Sequence, residues 1–395
     1  MKRTQFRLYM MAMIMLHSSI NAENWITIFV HGTFGLSNQA SFSTFFTLLT
    51  DSVEGSSYER NVMQARQDPT FFSTQPMQEL GLRPVKYSTA CHSGSYIFST
   101  LFNYMLHMHS EQFTNTRYYT FGWSGLVSVT KRFKEAYVFY VQLRNELAAI
   151  KAKTGIIPKI RLIAYSHGGN VCLNLARIRK IYYPHDSFII DDLTIIGMPV
   201  QHDTERLVHE PIFKEIFNIS STGDSIQRLD IFGPCNVISY KHFHGCRKYP
   251  LPTKLTQITL SISSASSLYK QSVFPNYGNS SCVSSRALVN ASPNHIELWF
   301  FGWTAANYRS EFPFYPLPVA LFIPYITATA KKYAPGVPLL SMHIQPSYER
   351  TLINHAYTCV SYSVPFMTTD QLKILTDTAF GLKPKDKFIT TELPK

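Results

Sequence analysis

The sequence predicts an α/β fold: a mostly parallel central sheet flanked by helices, with long cap-like insertions. Three observations predict it. Short runs with almost no polar position read as strands buried on both faces, helical patterns lie between them, and the composition supplies a large core. The chain has 395 residues, 45% hydrophobic and 16% charged, which excludes a disordered chain and suits one large domain.

The first strand is WITIFV, Trp25 to Val30, closed by Gly32. RYYTFGW (Arg117 to Trp123), KIRLIAY (Lys159 to Tyr165), LTIIG (Leu193 to Gly197) and EIFNIS (Glu215 to Ser220) follow the same pattern. Between Lys131 and Lys153, Phe133, Ala136, Tyr137, Tyr140, Leu143, Leu147 and Ile150 recur at three or four, the spacing of a helix with one apolar face. From Gly169 to Tyr183, Val171, Cys172, Leu175, Ile178 and Tyr182 repeat this, and Pro184 ends it. Strands alternating with helices cross over right-handed and give a parallel sheet. Two stretches are too long for ordinary connections, residues 36–115 and 232–294, and both read as insertions over one end of the sheet. Within the first, Ser93 to His109 has a helical pattern.

Residues 1–22 carry Lys2, Arg3 and Arg7 ahead of an apolar stretch from Leu8 to Leu16, then small and polar residues ending at Ala22. This is the layout of a signal peptide, too short to span a bilayer, and it predicts export; the alternative is an N-terminal membrane anchor. The net charge of +12 is scattered, with no block of five or more consecutive basic residues. That argues against nucleic acid as a partner and leaves peripheral contact with an anionic membrane open. Cys235 and Cys246 flank a short loop and would pair in an exported protein, whereas Cys172 reads as a buried thiol. Without Cys-x-x-Cys or His-Glu-x-x-His, no metal is expected. Asn-x-Ser/Thr sequons begin at Asn218, Asn279 and Asn290.

The chemistry concentrates in AYSHGG, Ala164 to Gly169, between a buried strand and an amphipathic helix. A nucleophilic serine needs an exposed Oγ, a base beside it and N–H groups aimed at the developing oxyanion. A sharp strand-to-helix turn provides the exposure and, from the helix start, the N–H groups. Small residues must flank the apex, here Ala164 and Gly168, and Gly169 lets the helix pack closely on the sheet.

This segment resembles the nucleophile elbow of α/β-hydrolase fold serine hydrolases of the lipase and esterase kind, with Ala164 where glycine is commoner. FVHGTFG, containing His31 and Gly32, is similar to the His-Gly segment after the third strand of those enzymes. The resemblance implies a single hydrolase domain over 23–395 and an oxyanion hole made by the N–H groups of Thr33 and His167. It also implies a triad in the order Ser, acid, His. Ser166 is the expected nucleophile. Asp224, in a turn beyond the EIFNIS strand, is the expected acid, with Asp230 its competitor. His295 is the expected base, with His343 the runner-up. Gly197 and Pro199 resemble a Gly-x-Pro segment of lipases, and Trp123 is expected to line the site. The implied activity is ester hydrolysis through an acyl-enzyme, on a lipid ester or a smaller one, with no cofactor. An acyltransferase on the same triad and a non-catalytic secreted binding protein are the rival readings.

Overall fold

A computed structural model of the chain describes residues 23–33, 51, 53–86, 93–109, 114–225, 239–245, 250–263, 292–303, 307–355 and 360–383. The expected signal peptide, Asp230, Cys235, Cys246 and the sequons at Asn279 and Asn290 lie outside these residues.

The strands are β1 (Glu23–Val30), β2 (Gly81–Pro84), β3 (Thr114–Gly122), β4 (Lys159–Tyr165), β5 (Asp192–Ile196), β6 (Ile216–Ser221), β7 (Leu255–Ile262), β8 (Leu339–Gln345), β9 (Arg350–His355) and β10 (Ser361–Pro365). They form one ten-stranded sheet in the order β10-β9-β8-β7-β6-β5-β4-β1-β3-β2. The stretch from β3 to β8 is parallel throughout, and antiparallel β2 and the β9–β10 pair close its two edges.

The helices are α1 (Ser57–Arg66), α2 (Pro69–Thr74), α3 (Gly94–His109), α4 (Val129–Thr154), α5 (Gly168–Tyr182), α6 (His202–Glu205), α7 (His295–Trp299), α8 (Ile323–Tyr333) and α9 (Thr369–Leu382). Ser128 caps α4 by accepting from the Lys131 N–H, and Gly155 ends it in the left-handed conformation. Successive strand residues point to opposite faces, so the apolar runs of β1 and β4 feed two cores. Phe29, Ile163 and Tyr165 face α3, α7 and α8, while Ile28, Val30, Leu162 and Ala164 face α4 and α5.

Residues 36–115 were expected as an insertion over one end of the sheet. The described part instead supplies the edge strand β2 and the helix α3, which packs on β3 and α8. The second expected insertion, 232–294, needs a larger correction, because residues 255–262 form β7, a strand within the parallel sheet. LTQITLSI alternates apolar with polar residues and lacks the apolar run that marks its neighbours. Its Gln257 is nonetheless buried, and the side chain accepts from the Phe243 N–H (2.7 Å) and donates to the Phe243 carbonyl (3.1 Å). A buried polar side chain is tolerated where such bonds replace water. Asn218 is likewise buried in β6, its amide donating to the Lys241 carbonyl, which places that sequon inside the sheet.

Chain order places the site. The chain leaves β1, forms β3 on one side, then crosses through α4 to β4 on the other. A parallel sheet opens a crevice beyond the carboxyl ends of its strands where connections diverge in this way. Here the divergence lies at β1 and β4, the strands that lead into His31-Gly32-Thr33 and into Ser166.

The β1 core is held by aromatic packing. Phe29 is fully buried and meets Phe98 and Phe102 edge to face, with centroids 5.0 and 5.6 Å away. Phe29→Ala should lower stability by about 4 kcal/mol in urea unfolding, by lost transfer energy plus a cavity; a loss under about 1 kcal/mol would show that this face can collapse around the gap.

Candidate functional site

Ser166, directly after β4, lies in the left-handed region, φ 52°, a costly conformation for a residue with a side chain. Its N–H donates to the Ile196 carbonyl (2.9 Å) and its carbonyl accepts from the Gly169 N–H (2.9 Å), so both sides of the turn are tied down. The space around the apex explains the glycines. A β-carbon on Gly168 would collide with the His31 carbonyl oxygen. One on Gly169 would lie 2.5 Å from Met198 Sδ and 2.6 Å from Ile195 Cγ2, and one on Gly32 would lie 2.8 Å from Ser166 Cβ. The exits of β1 and β4 therefore touch through backbone. Ala164 sits fully buried against the α4–α5 face.

Asp224 lies three residues beyond β6 and is wholly buried. His295 opens the short helix α7, with Asn294 as its cap. The two loops are laced together: the Ser221 hydroxyl donates to the Pro293 carbonyl (2.6 Å), Thr222 and Ser292 join hydroxyl to hydroxyl, and a β-carbon on Gly223 would strike the Ser292 carbonyl. The result is a continuous chain of hydrogen bonds. His295 Nδ1 donates to Asp224 Oδ2 at 2.7 Å, because a carboxylate only accepts. That assigns the proton to Nδ1 and leaves Nε2 to accept from the Ser166 hydroxyl, 3.2 Å away. Gly197, at φ 65°, forms the floor: a β-carbon there would sit 3.3 Å from Asp224 Oδ2 and 3.4 Å from His295 Cε1.

Neighbours that the sequence did not single out hold His295. The Tyr165 hydroxyl donates to the His295 carbonyl (2.9 Å) while its ring stacks on Trp299. Glu297 is fully buried, completes the capping box with Asn294, and receives Arg309 Nε (2.7 Å) and Nη2 (2.6 Å). Arg309 also donates to the Ser292 carbonyl, so one ion pair fixes both ends of the histidine loop. Capping boxes are legible as Asn-x-x-Glu, and NHIE at 294–297 carries that signal; the Arg309 partner carries none.

At the end of β1, His31 is buried and neutral. Burial and the adjacent Arg66 cation hold its pKa down at about 3. Its Nδ1 bonds the Gly32 carbonyl (2.7 Å), and its Nε2 meets Arg66 Nη1 (3.0 Å) and the Trp123 N–H (3.2 Å). Trp123, expected to line the site, instead packs as a fully buried brace: it stacks on the His31 ring and donates its indole N–H to the His31 carbonyl (2.7 Å). Thr33 follows, half-buried, and His167 sits between Ser166 and the first residue of α5.

The structure thus brings together Ser166, Asp224 and His295 with Thr33 and His167 at the flanking turns. It does not bring in His343, which lies in β8 with Nδ1 hydrogen-bonded to Ser261 (2.6 Å) and Nε2 to Ser263 (3.0 Å). Cys172 is a buried free thiol whose pKa burial pushes up. Among the described residues no group of His, Cys, Asp and Glu is placed to hold a metal, and no helix is long and apolar enough to cross a membrane. No protein-family model matches the chain, and no curated protein is similar to it in sequence.

Burial and the Arg350 cation hold His343 down at about 4. In the unfolded chain its pKa is about 6.5, so between these values the unfolded state binds more protons and is favoured by acid. Stability should be undiminished by this group above about pH 6.5 and should fall progressively toward pH 4. His343→Gln should make that decline shallower in urea titrations run at each pH; an identical slope in the variant would refute the assignment.

Proposed function

We propose that the chain is a serine hydrolase of the α/β-hydrolase kind that cleaves carboxylic esters through an acyl-enzyme. One observation carries the reading: the unbroken Asp224–His295–Ser166 hydrogen-bond chain, with the serine at the left-handed apex of a strand-to-helix turn. A serine held only for structure needs neither a buried imidazole on its hydroxyl nor a carboxylate behind that imidazole. The position of Ser166 beyond a central parallel strand, with acid and base on later loops in that order, agrees with this fold family.

In the proposed reaction His295 Nε2 takes the Ser166 proton as Oγ attacks the ester carbonyl carbon. The carbonyl oxygen becomes an oxyanion, stabilised by the N–H groups of Thr33 and His167. The imidazolium, steadied by buried Asp224, returns the proton to the departing alkoxide, and an alcohol leaves. Water, deprotonated by the same nitrogen, then attacks the acyl-enzyme, and the carboxylic acid leaves as Ser166 regains its proton. The chemistry uses no metal or organic cofactor. A lipid ester is the preferred substrate class, on the richness of the chain in Phe (28) and Tyr (23), which suits an acyl-binding cleft.

Purified protein should hydrolyse p-nitrophenyl esters of graded chain length and be labelled at Ser166 by a fluorophosphonate. Ser166→Ala, His295→Ala and Asp224→Asn should each lower kcat/KM by about 1,000-fold or more while leaving the circular dichroism spectrum unchanged. A wild type as inactive as Ser166→Ala on every ester, with no label at Ser166, would end the proposal in favour of a binding protein.

A further inference from the structure

Arg66, in the last turn of α1, is a buried cation at 5% exposure, and its Nη1 is directed at a ring nitrogen of His31. Burying a charge is costly, and an apolar side chain would fill the same space more cheaply. The hydrogen-bond pattern shows what the charge can do. Two groups that can only donate, Arg66 Nη1 and the Trp123 backbone N–H, meet His31 Nε2, so that nitrogen carries no proton. The ring proton is therefore on Nδ1, which donates to the Gly32 carbonyl, a group that can only accept. This fixes one tautomer.

The Gly32 carbonyl and the Thr33 N–H belong to the same peptide unit, which is trans and planar, so the N–H points opposite to the carbonyl. Anchoring the oxygen toward the buried His31 ring directs the Thr33 N–H away from it. Hydrogen bonds in series also polarise one another, by roughly 10–30% per bond in condensed phases. A cation at one end of the row makes Nδ1–H a better donor, which in turn sharpens the dipole of the Gly32–Thr33 peptide.

From this geometry we infer that Arg66 is a positioning residue for the oxyanion-binding N–H of Thr33, acting through the neutral His31 ring and the Gly32 carbonyl. The inference rests on the serine-hydrolase reading above. The surroundings hold the cation in place. Nη2 donates to the Gln78 carbonyl (2.8 Å), Met77 Sδ lies beside Nη1, and Glu79 and Glu135 supply countercharge. Gly122, at the end of β3, leaves the room: a β-carbon there would sit 2.6 Å from Arg66 Nη2. Burial draws the guanidinium down to about 10, still cationic at neutral pH.

The test has two arms. In protein labelled with 15N-histidine, His31 should appear by NMR as the neutral Nδ1–H tautomer from pH 5 to 9; an Nε2–H tautomer, or an imidazolium at pH 6, overturns the inference without reference to activity. In kinetics on a p-nitrophenyl ester, Arg66→Met should lower kcat by about 10- to 100-fold with KM within about twofold, less than the loss of a whole oxyanion donor, and Arg66→Lys should recover most of it. Binding of a trifluoromethyl ketone, whose adduct places an oxyanion in the same spot, should weaken by the same factor. A folded Arg66→Met with the wild-type kcat overturns the positioning role alone. Absent hydrolysis by wild type together with an unlabelled Ser166 overturns the hydrolase reading and this role with it. Where Arg66→Met does not fold, the wild-type tautomer decides.

Discussion

The site depends on the left-handed backbone of Ser166. Holding a residue with a side chain at φ 52° costs on the order of 1–3 kcal/mol, and the surrounding sheet has to impose it. It does so through the Ser166 N–H bond to β5 and through the contact between the exits of β1 and β4. Gly32, Gly168 and Gly169 are glycines because every other side chain would separate those exits or lift α5 off the sheet. The same closeness that strains the serine brings the His31-Gly32-Thr33 loop against it.

The sheet then acts as a ruler for parts that are far apart in sequence. Asp224 and His295 stand on loops whose ends meet through Ser221, Thr222 and Gly223 on one side and Ser292 and Pro293 on the other. The buried Glu297–Arg309 pair stiffens the second loop. Such a pair adds little net stability, but loss of either partner leaves an uncompensated group, so the arrangement specifies one loop geometry. Arg66 and His31 apply the same logic beneath β1, with a ring nitrogen in place of a carboxylate. These polar residues around the Ser166–His295–Asp224 hydrogen-bond chain thus hold directions in a buried interior, where electrostatic interactions are strong.

Several elements were legible in the sequence because the signal was local. The apolar runs of β1, β4, β5 and β6 announced buried parallel strands, and the three-to-four spacing announced α4 and α5. The Ala-Tyr-Ser-His-Gly-Gly stretch marked a strand-to-helix turn, since small residues at such positions reflect crowding at that turn. Strand β7 was missed because its buried Gln257 reads as polar, and its acceptability depends on Phe243, fourteen residues upstream. Trp123 was read as a lining residue because nothing in the sequence reveals that its indole points at the His31 carbonyl.

Sequence by itself determined the α/β class, the mostly parallel sheet and the turn at Ser166, because these follow from periodicity and residue size within one short window. It also favoured Asp224 over Asp230 and His295 over His343 from their positions relative to the strands, with the runners-up left open. Of His295 and His343, the tertiary structure brings only the first onto Ser166: the sheet carries the 292–295 loop onto β6 and lays His343 between Ser261 and Ser263. Arg66, Tyr165 and Arg309 likewise meet the groups they hold only across 12 to 130 residues of chain. A hydrogen bond is set by direction and distance in space, and those are properties of the packed chain that no short stretch of residues contains.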